Sequence, residues 1–241
     1  MVEGMVNLLL REVGFSYRTC EMDYLEPDTL LAAYAEGYFP MCDPDSGEID
    51  WYNPDPRCIL PLDGLKISSS LARRVRSDRF KVLTDTHFEA VIRACGARRA
   101  GQDDSWIDER FIQAYGELHR RGMAHSVETW RDGQLVGGLY GVRLGQVFMG
   151  ESMFSCPELG GADASKVALV WLVHHLRRIG AGVLDVQFIS DHMASLGAIE
   201  IPREQYLQAL VEGRDQPTVW TDWPERVDPL DLPELGKPGQ G

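Results

Sequence analysis

Between residues 125 and 188 the hydrophobic pattern switches from a period of two to a period near 3.6 and back, and few folds accept that order. Residues 126–130 alternate, Asp132-Gly133 is a two-residue hairpin signal, and residues 135–142 supply a second strand. Gly145 marks another turn, and residues 147–154 read as a third strand. A long helix follows over residues 164–178, with Val167, Leu169, Val170, Leu172, Val173 and Leu176 mostly buried. Residues 183–188 return to strand. Antiparallel strands, a helix and one more strand make an α+β domain with a single mixed sheet.

The remainder of the chain frames this block. Pro27 opens a short helix bearing Leu30, Leu31, Tyr34 and Ala35, closed at Gly37. Pro40, Pro54 and Pro56 then forbid long regular structure. Thr86 and Glu89 form a capping-box pattern ahead of Phe88, Val91, Ile92 and Cys95. A second helix begins near Asp108, carries Phe111, Ile112, Tyr115 and Leu118 on one face, and stops at Gly122. Two short helices are expected near His192 and over residues 204–211, and prolines crowd the end of the chain. The expected division is a small loop-rich N-terminal domain over 1–62, a main α+β domain over 63–213 and a proline-rich C-terminal tail over 214–241.

Charge is unevenly distributed. The chain of 241 residues has a net charge of −13, yet residues 66–99 hold nine basic and three acidic side chains. Arg73, Arg74, Arg76, Arg79 and Lys81 lie in that segment. A local phosphate-binding surface on an acidic protein is one reading, and a solvated helix face is the other. The longest apolar run, 167–173, is too short to cross a bilayer, and the acidic N-terminus makes a poor secretory leader. A cytoplasmic protein with no membrane partner follows. Five cysteines, none at Cys-x-x-Cys spacing, argue for free thiols and against a zinc site.

Three features carry chemistry. Glu151 is an acid within an apolar strand, where a carboxylate needs a partner or a task. Asp185 and Gln187 stand two apart on a strand and so should project from one face, away from Leu184, Val186 and Phe188. An amide oriented by a carboxylate could take a proton from an attacking amine; a structural pair is the bland alternative. His192 could act as a base, or simply pack at a helix start. Phosphate loops, nucleophile elbows and His-Glu-x-x-His are missing, as is the glycine-rich pyrophosphate loop of a coenzyme A acetyltransferase.

Taken together, Gly37-Tyr38-Phe39-Pro40, Trp51-Tyr52-x-Pro54-Asp55-Pro56-Arg57, Ser105-Trp106-Ile107, His125-Ser126-Val127-Glu128, residues 135–142, residues 150–155, Asp185-x-Gln187 and His192-x-x-Ser195-Leu196-Gly197-Ala198 resemble the leucyl/phenylalanyl-tRNA–protein transferases. The resemblance runs in family order from about residue 28 to residue 207. It implies an acetyltransferase-like fold that uses aminoacyl-tRNA in place of acetyl coenzyme A. The α-amine of a protein or peptide beginning with Arg or Lys would attack the tRNA ester, with no cofactor and no metal, and the new N-terminus would mark the protein for degradation. Asp185 and Gln187 match the catalytic pair, Asp185 polarising the Gln187 amide. Glu151 would hold a polar or cationic substrate group, and Trp106 would pack on the tRNA end. Leu139, Phe148, Leu176 and Leu184 match the apolar side-chain pocket, and Arg73, Arg74, Arg76, Arg79 and Lys81 would meet tRNA phosphates.

Three departures accompany the resemblance. The family's N-terminal glycine-rich stretch is not visible before Pro27. Met41 stands where the family commonly has a Trp after Phe-Pro, and the segment between Ser155 and Ser165 is longer than usual. The rival readings are another aminoacyl-tRNA-dependent peptide ligase, usually a tandem repeat of such a domain, and a non-catalytic tRNA or peptide binder.

Overall fold

The computed structural model describes residues 24–43, 45–77, 79–97, 105–220 and Trp223. Cys20, Arg98, Arg99 and the chain beyond Trp223 lie outside them. Helix α1 (Pro27–Ala35) starts on its proline and is capped by Glu36 ahead of Gly37, whose φ of +85° suits a residue without a Cβ. Strands β1 (Phe39–Cys42) and β2 (Ile49–Tyr52) then pair antiparallel in a two-stranded sheet. The prolines keep both short.

The main sheet has seven strands. They are β3 (Arg57–Ile59), β4 (Lys81–Thr84), β5 (Ala124–Arg131), β6 (Gln134–Leu144), β7 (Val147–Ser155), β8 (Val183–Gln187) and β9 (Ile199–Ile201). Their spatial order is β4-β5-β6-β7-β8-β3-β9. Only the β7–β8 pair is parallel, because helix α5 (Ala164–Arg178) returns the chain between them. The three strands read between residues 126 and 154 and the helix after them stand where the pattern puts them.

Residues 57–59, expected with the N-terminal unit, lie inside the main sheet as β3, between β8 and β9. Three residues between prolines and a turn are too few to show a period, so only long-range pairing defines this strand.

Helices cover both faces of the sheet. Helix α2 (Ser69–Arg76) and α5 bury Leu71, Val75, Val167, Val170 and Leu176 against Val127, Leu139, Phe148 and Leu184. On the other face, α1, α3 (Phe88–Gly96), α4 (Glu109–Arg120) and α7 (Arg203–Arg214) pack Leu30, Ile92, Phe111, Leu118 and Tyr206 against Tyr140, Val142 and Met149. A short helix α6 (Asp191–Ser195) follows β8.

Helix α3 starts differently from its sequence signal. Glu89 does not complete a capping box; the buried Glu128 carboxylate, reaching across from β5, accepts the main-chain N–H groups of Thr86 and His87 at 2.9 Å each. A charged acceptor at this end also suits the helix dipole. Within the expected tail, Thr218 and Trp220 make contacts with the main sheet. Arg143 Nη1 donates to Thr218 Oγ1 at 2.6 Å, and Trp220 stacks on His125 at 4.0 Å and lies 5.6 Å from Phe148.

Candidate active site

Strands β7 and β8 are paired only through Val147↔Val183, Phe148↔Leu184 and Met149↔Asp185. Beyond that point they part, and the candidate residues gather around the opening.

Asp185 is fully buried and holds four contacts. Arg57 Nε donates to its Oδ1 at 2.8 Å and Nη2 to its Oδ2 at 2.6 Å. Tyr206 Oη donates to Oδ2 at 3.1 Å, and the Gln187 main-chain N–H donates to Oδ1 at 3.0 Å. The Arg57 guanidinium is itself sandwiched between the Tyr206 and Phe39 rings, 4.4 and 4.8 Å from their centroids, and Nη1 donates to the Gly37 carbonyl at 2.9 Å. Burial pulls the Arg57 pKa down; the bonds and charge of Asp185 outweigh it and hold it above its ordinary value. A carboxylate so saturated is an anchor.

This corrects the expected pair geometry. Asp185 bonds the main chain of Gln187, not its amide, and Gln187 has a φ of +58°. Phe188 N–H donates to the Val186 carbonyl at 2.8 Å, closing a tight turn around Gln187. The strand alternation therefore fails here. Leu184 and Val186 pack with the α5-side core, while Phe188 turns back onto Phe39. Gln187 is 8% exposed, and its Nε2 is buried with no hydrogen-bond partner. Gln187 is thus a non-glycine residue in the left-handed region whose amide nitrogen is unpaired.

Glu151 owes its position to a bulge. Tyr140 pairs with Ser152 and Gly141 with Gly150, leaving Glu151 as the extra residue. The bulge reverses the parity of β7, so that Phe148 lies in the α5-side core and Phe154 in the opposite one. Tyr115 Oη donates to Glu151 Oε2 at 3.2 Å, and Tyr115 shares a 2.5 Å hydrogen bond with Tyr34. Oε1 is buried without a partner. Burial raises the Glu151 pKa to about 7, helped by the Asp185 charge and opposed by the tyrosine hydrogen bonds and Arg57.

The expected substrate residues fall on two sides. Leu139, Phe148, Leu176 and Leu184 share one core cluster beneath α5. Gly141 makes room there, since a Cβ would come within 2.4 Å of the Phe148 ring. Met41 and Trp106 belong to the other cluster, with Trp106 edge-on to Phe111 at 5.4 Å. His192 is exposed on α6. Sequence reasoning assigned no role to Arg57; an Asp within a strand demands a cation, and the Pro-Asp-Pro-Arg motif held it.

The basic segment divides in two. Arg74 pairs with Asp163 at 3.2 Å and donates to the Ala162 carbonyl, and Arg79 donates to the Gly160 carbonyl at 2.9 Å. Both hold the long loop ahead of α5. Arg73, Arg76 and Lys81 are exposed. Among the described residues, no cluster of His, Cys, Asp or Glu could hold a metal, and no helix is long and apolar enough to cross a membrane.

Residues 59–211 match the family model of the leucyl/phenylalanyl-tRNA protein transferases, and residues 23–55 match that of their N-terminal domain. A leucyl/phenylalanyl-tRNA–protein transferase of Novosphingobium aromaticivorans is 54% identical over 187 residues, 77% of this chain and 70% of the relative. Those of Rhizorhabdus wittichii and Herpetosiphon aurantiacus are 52% and 50% identical, each over 78% of this chain and over 75% and 94% of the relative. A solved ribosomal-protein-alanine N-acetyltransferase of Brucella melitensis biovar Abortus 2308 is 16% identical over 61% of this chain and 96% of its own, at a TM-score of 0.34, too distant to bear on chemistry. With both of its parts matched, and half or more of the aligned residues identical over more than three quarters of its length, the chain belongs to the leucyl/phenylalanyl-tRNA–protein transferase family.

Proposed function

We propose that the chain moves leucine or phenylalanine from aminoacyl-tRNA to the α-amine of a protein beginning with Arg or Lys, in the cytoplasm, and so marks that protein for degradation. The observation that carries the reading is the pair of unused buried polar atoms, Gln187 Nε2 and Glu151 Oε1, beside the parting of β7 and β8. A buried polar atom without a partner is costly unless a substrate supplies one.

The amino-acid side chain enters the apolar region of Leu139, Phe148, Leu176 and Leu184, where fit selects it. Trp106 and Met41 lie by the tRNA end. The attacking amine gives its lone pair to the ester carbonyl carbon, the bond to the ribose oxygen breaks, and one proton passes from the amine to that oxygen. The Gln187 amide orients the amine, and the strained turn anchored by Asp185 keeps it in place. Glu151, near half-ionised at neutral pH, takes a polar or cationic substrate group. Arg73, Arg76 and Lys81 meet phosphates.

Purified protein given leucyl- or phenylalanyl-tRNA and a peptide starting with Arg should yield the extended peptide, readable by mass. Acetyl transfer from acetyl coenzyme A, with no reaction from charged tRNA, overturns the reading.

A further inference from the structure

Three rings meet at the outer edge of the site. Phe39 is buried, whereas Tyr52 and Phe188 are 38% and 47% exposed. Phe188 stands edge-on to Phe39 at 5.4 Å, and Tyr52 lies 6.0 Å from Phe39 and 6.4 Å from Phe188. Ile189, 39% exposed, continues the patch. Phe188 directly follows Gln187, so the patch adjoins the residue proposed to orient the amine. Large apolar side chains grouped in water mark a contact surface.

The charges beside the rings decide what they contact. Asp50 is exposed on β2 and pairs across the hairpin with Met41, two pairs along from Phe39↔Tyr52, so it projects from the same strand face as Tyr52. Asp43 is exposed at the end of the hairpin, its Oδ1 fixed by the Asp45 and Ser46 N–H groups at 2.8 and 2.9 Å. Burial first, then the nearby Asp50 and Asp43 charges, raise the Tyr52 pKa. The Arg57 guanidinium already lies over Phe39 from within the protein, so it is the exposed Tyr52 and Phe188 rings, with the carboxylates beside them, that are open to attract a cation from outside. The basic side chains of α2 and β4 lie elsewhere, since β4 is at one edge of the sheet and β8 is separated from it by three strands.

We propose that Tyr52, Phe188 and Asp50 dock the cationic side chain of the acceptor's first residue, holding its α-amine toward Gln187. This rests on the transfer reading above, because it gives the amine a destination. The rings supply the apolar and cation–π contact for an Arg or Lys stem and head, and Asp50 supplies the counter-charge. The surface would thus select the acceptor, while the apolar residues beneath α5 would select the donated residue.

The test uses the full chain, charged tRNA and synthetic peptides that differ only in a first residue of Arg, Lys or uncharged norleucine. Tyr52→Leu, Phe188→Leu and Asp50→Asn keep the packing on Phe39, and Tyr52→Phe serves as the conservative rescue. Each of the first three should raise KM for Arg and Lys peptides about fivefold, leaving KM for charged tRNA unchanged, and Tyr52→Phe should behave as wild type. Anisotropy of a labelled Arg peptide should show the same loss without tRNA. An unchanged peptide KM overturns the proposal; so does a loss confined to charged tRNA, which would make the rings a platform for a base. If wild-type protein transfers nothing yet binds the labelled peptide through Tyr52, the docking site stands and the transfer reading falls.

Discussion

Arg57 and Asp185 form a two-pronged ion pair whose side chains are both at 0% exposure, although 128 positions separate them in the sequence. Removing one partner leaves an uncompensated buried charge, at a cost of about 3–5 kcal/mol. Asp185→Ala and Arg57→Met should each show that loss in urea unfolding. The paired change Arg57→Met with Asp185→Leu should recover most of the stability but not transfer. A modest loss in Asp185→Ala would place Asp185 in catalysis alone.

Gln187 separates strain from chemistry. At φ +58° a glycine is relaxed, so Gln187→Gly should be neutral or stabilising by up to about 1 kcal/mol relative to Gln187→Ala. Both should slow single-turnover transfer at saturating charged tRNA by about tenfold or more. A full rate in both would show that the amide only fills space.

Glu151 makes stability depend on pH. Its pKa rises from 4.5 to about 7 on folding, so in that window the native state keeps a proton that the unfolded chain has lost. Stability therefore falls as pH rises from 4.5 to 7, by about 3 kcal/mol in all. Buried His175 has the opposite sign: burial lowers its pKa from 6.5 to about 4, so the unfolded chain binds the extra proton and stability falls as pH drops through that window. The two slopes offset each other in the wild type. Glu151→Gln should unmask a Tm that climbs with pH between 4.5 and 6.5, and His175→Leu a Tm that declines. Parallel profiles for all three proteins would refute both assignments.

Arg74 and Arg79 are tied to main-chain carbonyls of the loop ahead of α5, so their loss should read differently from that of the exposed Arg73, Arg76 and Lys81. Changing Arg73, Arg76 and Lys81 together to Ala should reduce the slope of log binding against log salt by about 2–3 for tRNA. Arg74→Ala and Arg79→Ala should instead loosen the loop ahead of α5, which thermal unfolding would report. An unchanged salt slope in the triple variant would mean that α2 faces solvent without binding phosphate.

What could be read from sequence was local. Helix α5 was legible to the residue, because a long apolar stretch with loop residues before it and glycines after it admits one solution. The hairpins were legible from Asp132-Gly133 and Gly145. The bulge at Glu151 was not, since one extra residue in an apolar strand leaves no mark on composition. Nor was the turn at Gln187, because the i, i+2 rule assumes a strand that continues, and β8 ends there. The cap of α3 was misread for a related reason: Glu89 was near in sequence, while Glu128 was near in space.

The insertion of β3 between β8 and β9 also bears on how the protein is made. A chain emerges from the ribosome N-terminus first, and contacts between distant residues must wait for both partners. Strand β3 is synthesised early but has no place in the sheet until β8 and β9 exist. The hairpins of β5, β6 and β7 can close while the C-terminal third is still being translated. Arg57, Asp185 and the Gln187 turn can come together only with β8, so a nascent chain would lack the assembled site until β8 and β9 have left the ribosome.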